Sequence, residues 1–153
     1  MDVYARMKEF GIHLPDAPAR GGLYAQTKHF GENLVYISGC GSTLADNAYF
    51  GKLGKELTIP EGKKAAENAI LNLLAVLQNS IGDLNHVKSF VKIIAFVSSS
   101  PDFYDQPAVA DGATKILEDI FGEEVGLPAR SAIAANVLPG NIAVEIEAIV
   151  ETK

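Results

Sequence analysis

The chain has 153 residues, 48% apolar and 21% charged, enough apolar content to bury a core within one ordinary domain spanning residues 1–153. Its formal net charge is -6 and its lysines are scattered, so no basic face is available to displace counterions from a nucleic acid. No apolar run approaches the roughly 20 residues that cross a bilayer, and the opening stretch MDVYARMKEFG carries charges where a signal peptide would be apolar. A cytoplasmic protein with no nucleic-acid or membrane partner is expected. The lone cysteine, Cys40, rules out an internal disulfide and reads as a small buried apolar group.

Asp2 to Phe10 reads as a short helix, with Asp2 as its N-cap and Gly11 as its stop. His13 to Arg20 holds two prolines and reads as a loop, so residues 1–21 form an N-terminal helix and loop extension. Leu23 to Phe30 and Asn33 to Ser38 read as a hairpin around Gly31 and Glu32. Two glycines, Gly39 and Gly41, follow that second strand, where a backbone or a ligand can approach closely. Residues 40–57 make a long, weakly patterned loop, a candidate rim or lid, with a short strand expected near Lys55 to Thr58.

Thr58 and Glu61 have capping-box spacing, with Pro60 in the first turn. Ala66, Ala69, Ile70, Leu73, Leu74, Leu77 and Ile81 then form one helical stripe that ends at Gly82. Val87 to Val97 is a strand. Alternation places Val87, Val91, Ile93, Ala95 and Val97 on one face, and Lys88, Phe90, Lys92, Ile94 and Phe96 on the other. Pro107 to Phe121 is a second amphipathic helix, with Gly122 as terminator.

Ser131 to Val137 and Ile142 to Val150 are the last extended runs, joined at Pro139, Gly140 and Asn141 as a hairpin. Arg130 stands where the first run begins. A guanidinium there can grip a carboxylate through two parallel hydrogen bonds, or it can be a surface arginine paired with a nearby acid. The whole predicts an α+β fold. Two long helices cover one face of a mixed sheet of four to five strands. The other face, with Phe90, Ile94, Phe96, Ala143 and Ile149 beside Glu145 and Glu147, calls for cover by further copies of the chain.

Much familiar chemistry is missing. His13, His29 and His86 show no metal-ligand spacing, and no nucleophile elbow or phosphate-binding glycine motif appears. Glu145 and Glu147 stand about 6.5 Å apart along one strand face. That spacing suits a glycosidase pair, but no tryptophan accompanies it. What remains is a cofactor-free site made of Arg130, backbone N–H groups, an acid such as Glu145, and a tyrosine.

The run Pro128-Ala-Arg-Ser, then Leu138-Pro139, then Val144-Glu-Ile-Glu-Ala-Ile149, resembles the signature of the RidA (YjgF, or L-PSP endoribonuclease) family. Gly22-Leu-Tyr-Ala-Gln26 and Tyr36-Ile-Ser-Gly39 are similar to its N-terminal segments. The resemblance covers about Gly22 to Glu151. It implies a chorismate-mutase-like α+β fold and a homotrimer with ligand sites in clefts between subunits. It also implies hydrolysis of enamines and imines of amino-acid origin to a keto acid and ammonia, without a cofactor.

Carried over by position, the resemblance has Arg130 hold a substrate carboxylate and Glu145 orient or activate water. The backbone of Ala132 and Gly39 completes the pocket, and Tyr24 lines it. Three positions depart from the family pattern: Ala132 replaces a cysteine, Leu23 replaces a proline, and Asp111 stands where an asparagine is common. The departures keep a second reading open, a trimer that binds a small carboxylate metabolite without turning it over. A third, an endoribonuclease, comes from the family's alternative name, and the acidic charge and absent basic patch count against it.

Overall fold

The computed structural model describes residues 1–45 and 47–153; Asp46, inside the 40–57 segment, lies outside the described residues. Helix α1 (Val3–Phe10) is capped by Asp2, whose side chain accepts from Tyr4 N, and it closes on Gly11 in the left-handed conformation. Helix α2 (Ile59–Ile81) starts on the complete Thr58–Glu61 capping box and ends at Gly82. Helix α3 (Gln106–Gly126) is interrupted at Gly122 (φ 77°), after which one short helical turn continues to Gly126.

The strands are β1 (Thr27–Phe30), β2 (Leu34–Gly41), β3 (Thr43–Leu44), β4 (Asn47–Ala48), β5 (Val87–Ser98), β6 (Ala129–Ala135) and β7 (Val144–Thr152). Five of them form one mixed sheet in the order β1-β2-β7-β5-β6, and β3 and β4 pair as a separate small hairpin. Helices α2 and α3 lie on one face of the main sheet, and α1 packs on α3. The core between sheet and helices is fully apolar at its centre: Ile70, Leu73, Leu77, Ile93, Val97, Leu117, Ile120, Ile146 and Val150 are all buried. Burial of each such side chain contributes roughly 1.5–3 kcal/mol, which is why the helices hold to this face.

Several expectations change. The last two strands are not a hairpin. β5 lies between them, parallel to β6 and antiparallel to β7. Pro139, Gly140 and Asn141 do form a tight turn, but it feeds a crossover past β5. The β1 strand is shorter than the Leu23–Phe30 reading, because residues 21–25 turn back on themselves instead of extending. β2 runs on through Gly39 to Gly41 with a bulge between Ile37 and Cys40, so both glycines lie within the strand and not after it.

No strand forms at Lys55 to Thr58. Leu57 makes only a single bridge to Leu53, and Thr58 is taken by the helix cap. In β5, register shifts after Val87 and Phe90 reverse the alternation of its first half. Phe90 is buried against Phe121 and Val91 faces out, the opposite of strict period two. Ala143 is also buried, since β7 alternates only from Val144. The open face therefore carries Tyr36, Ile94, Phe96, Ile133, Glu145, Glu147 and Ile149.

Candidate functional site

The best-formed cleft has a volume of about 470 Å³ and sits where the bulged end of β2 meets the start of β7. Its floor is Ser38-Gly39-Cys40-Gly41 and Glu145; Tyr24, Gln26 and Pro18 form its wall. The bulge leaves Gly39 without a register partner on β7, and the Glu145 side chain lies over it. A methyl group on Gly39 would stand 2.8 Å from Glu145 Cδ and 2.9 Å from its Oε2. Glycine is thus required there for the carboxylate to lie over the β2 backbone.

The 18–26 segment is tied down from both sides. Gln26 Nε2 donates to Pro18 O at 2.7 Å, and Ser38 Oγ donates to Ala25 O at 2.8 Å. Gly21 N donates to the Tyr24 hydroxyl at 3.0 Å, which folds the ring into the cleft mouth. On the helix side, Asn68 and Asn72 are buried one turn apart on α2. Asn72 donates to Gly41 O and Thr43 O, both at 2.9 Å, and Asn68 donates to Ser42 O and Asn47 O. These two amides hold the loop after β2, and so the cleft floor.

Glu145 is half-buried. Removal from water, and then the charge of Glu147 on the same strand face, raise its pKa above the usual glutamate value. Glu147 in turn accepts from the Tyr36 hydroxyl at 2.9 Å. Cys40 is buried, and desolvation followed by the nearby Glu145 charge pushes its thiol up to about 12. It is a protonated, apolar lining group.

The expected site residues fall into two places. Gly39, Tyr24 and Glu145 share the cleft. Arg130, Asp111 and Ala132 do not line it. Arg130 NH1 donates to Asp111 Oδ1 at 2.7 Å and to Thr114 Oγ1 at 3.3 Å, both on α3. Ala132 packs against the core two residues further along β6. Register explains the separation. Arg130 stands opposite Ile93 and turns with it toward the helices, whereas Glu145 stands opposite Phe96 and faces away from them. Three residues along β5 and two strand spacings across put the two positions roughly 14 Å apart, on opposite faces. Within one chain they cannot touch one small ligand. Among the described residues, the only charge lining the cleft is negative.

Sequence reading missed Cys40, Ser38 and Gln26 as cleft residues and Thr114 as a partner of Arg130. Asn68 and Asn72 did leave a signal: an amide pair four residues apart on the buried side of an apolar helix needs carbonyls to bond. Among the described residues no three His, Cys, Asp or Glu side chains converge where a metal ion could be held, and no helix is long and apolar enough to cross a membrane.

A five-stranded mixed sheet backed by two helices, with a glycine-floored cleft at one end of its open face, defines the class of the molecule. The chain belongs to the family described as "YjgF/chorismate_mutase-like, putative endoribonuclease", which it matches over residues 4–151. It is 38% identical to Protein TCP17 of Trypanosoma cruzi over 97% of this chain and 93% of that protein. It is 32% identical to a 2-iminobutanoate/2-iminopropanoate deaminase of Dermatophagoides farinae, covering 91% and 93% of the two chains. The crystal structure of the protein Atu1372 from Agrobacterium tumefaciens superposes with a TM-score of 0.90 at 34% identity, over 99% of this chain and 92% of that one.

Proposed function

We propose that the chain is a cofactor-independent enamine/imine deaminase whose site is completed between copies of the chain. Arg130 of one copy holds the substrate carboxylate over the Glu145 cleft of the next. The observation that carries this reading is the half-buried Glu145 laid over Gly39 in a cleft that, among the described residues, has no cation of its own. A carboxylate ligand would be repelled from such a cleft unless a positive group arrived from outside it. Arg130 lies on edge strand β6, whose outer side has no strand partner. The open face supplies the means of association: Tyr36 and Ile133 are exposed there, beside half-buried Ile94, Phe96 and Ile149. A closed ring, a homotrimer in this reading, would cover them.

The chemistry asks little of the protein. An imine carbon is already electrophilic, so water adds once it is positioned and a base accepts its proton. Glu145, with its raised pKa, takes that proton and returns it to nitrogen. The carbinolamine then expels ammonia and leaves the keto acid, with water as the only co-reactant. The kinship with an imine deaminase supports this reaction type.

A non-catalytic carboxylate binder is the second reading, favoured by one observation: Arg130 is already paired with Asp111 in the single chain. RNA cleavage has less support, because the net charge is -6 and the cleft carries an acid. The deciding assay generates 2-aminoacrylate in situ and measures ammonia and keto acid. The wild type should exceed buffer, with Glu145→Gln slower by about 10²-fold or more. A wild-type rate equal to buffer removes the enzyme reading.

A further inference from the structure

Ser42 is a wholly buried residue beneath the cleft, and its side chain is not part of the lining. It is the single residue between the end of β2 at Gly41 and the start of β3 at Thr43. The β2–β7 ladder pairs Gly41 with Glu145, so its next rung would set Ser42 against Val144. In a continued antiparallel ladder, Val144 N would donate to the Ser42 carbonyl. That carbonyl is turned instead to α2, where Asn68 Nδ2 donates to it at 3.1 Å. The Ser42 hydroxyl takes its place and accepts from Val144 N at 3.3 Å. Val144 is as deeply buried as Ser42, so water cannot reach that N–H to replace the hydroxyl.

Val144 immediately precedes Glu145, and its peptide is the entry to β7. The preceding peptide is held as well: Ala143 N donates to Tyr49 O at 3.3 Å, and Ser98 N donates to Ala143 O at 2.9 Å. Glu145 leaves little room for error. Its Cδ lies 2.8 Å from where a β-carbon on residue 39 would stand. A turn of the Val144 peptide moves the acid relative to anything bound in the cleft, and a misplacement of about 1 Å can cost about 10²-fold in rate. We infer that Ser42 is a positioning residue for Glu145. Through Val144 it fixes the rung from which the acid enters the cleft, and Asn68 keeps Ser42 turned to that task. This deepens the deaminase reading and rests on it for the role of Glu145.

The test follows the Glu145 side-chain carboxyl through a pH titration by carbon-13 NMR. Beside it, kcat and KM are measured for ammonia release from 2-aminoacrylate generated in situ. The titratable groups that face Glu145 are Glu147 on its own strand and Cys40 and Tyr24 in the cleft, and all three are kept. Ser42→Ala removes the acceptor and Ser42→Thr keeps it. Leu77→Ala is the control, loosening a buried residue of α2 that does not line the cleft. Ser42→Cys, a weak acceptor of similar size, replaces Ser42→Ala if that chain does not fold. Ser42→Ala should lower the Glu145 titration toward the ordinary glutamate range, because a loosened strand entry admits water. It should also cut kcat about tenfold with KM nearly unchanged. Ser42→Thr should restore both, and Leu77→Ala should change neither. A wild-type titration and kcat in Ser42→Ala, or equal shifts in Leu77→Ala, overturns the inference. If the titration moves as expected while the wild type releases no ammonia above buffer, the Ser42 role stands and the deaminase reading falls.

Discussion

Glu145 and Gly39 depend on each other. The carboxylate occupies the space that any other side chain at position 39 would need, with its Cδ 2.8 Å from where a β-carbon would stand. Gly39→Ala should push the acid aside and cut turnover sharply while moving the melting temperature little, because the displaced atoms are the end of a flexible side chain. A loss of fold in place of a loss of rate would contradict this. The raised pKa of Glu145 has a second consequence. Its carboxyl binds a proton more tightly in the folded than in the unfolded chain. Its contribution is therefore most favourable below the ordinary glutamate value of 4.5 and declines as pH rises through the folded value. Glu145→Gln should match the wild type in acid and become more stable than it toward neutral pH. Melting curves across that range check the sign, and a variant less stable than the wild type at neutral pH would reverse it.

At the scale of elements, α2 does more than cover the sheet. Asn72 spends both amide hydrogens on the carbonyls of Gly41 and Thr43. Asn72→Ala leaves those carbonyls without donors, and denaturant titration should show a loss of about 1–3 kcal/mol. No change would mean that water replaces the amide. The helices were legible from the chain because their signals are local: the Thr58–Glu61 box, the apolar stripe and the Gly82 stop each lie within a few turns. The five strands of the main sheet were legible as strands, but their neighbours were not, and the small β3–β4 hairpin was not read at all. Ser131 to Val137 and Ile142 to Val150 look like a hairpin because a turn joins them, yet β5 inserts between them through a pairing that no local pattern reports. The same limit hid the bulges that turn Phe90 inward. It also hid which face Arg130 takes, since that follows from its register against Ile93. Of the expected site residues, Tyr24, Gly39 and Glu145 share the cleft, whereas the separation of Arg130, Asp111 and Ala132 from it was not legible.

For the whole molecule, the open sheet face and the separation of Arg130 from the Glu145 cleft are the two features that the proposed association with another copy would account for. Ile133, on edge strand β6 and 47% exposed, is a direct probe of that face. Ile133→Glu should leave the circular dichroism of the chain unchanged and shift its sedimentation from an oligomer to the single-chain mass. An unshifted variant would place the interface elsewhere. The sharpest measurement mixes two inactive variants, Arg130→Ala and Glu145→Gln, by joint unfolding and refolding. If each site takes its arginine from one copy and its acid from the next, random assembly in a ring regenerates about a quarter of the intact sites. About a quarter of wild-type ammonia release should return. A mixture as inactive as its two components would contradict a site shared between copies.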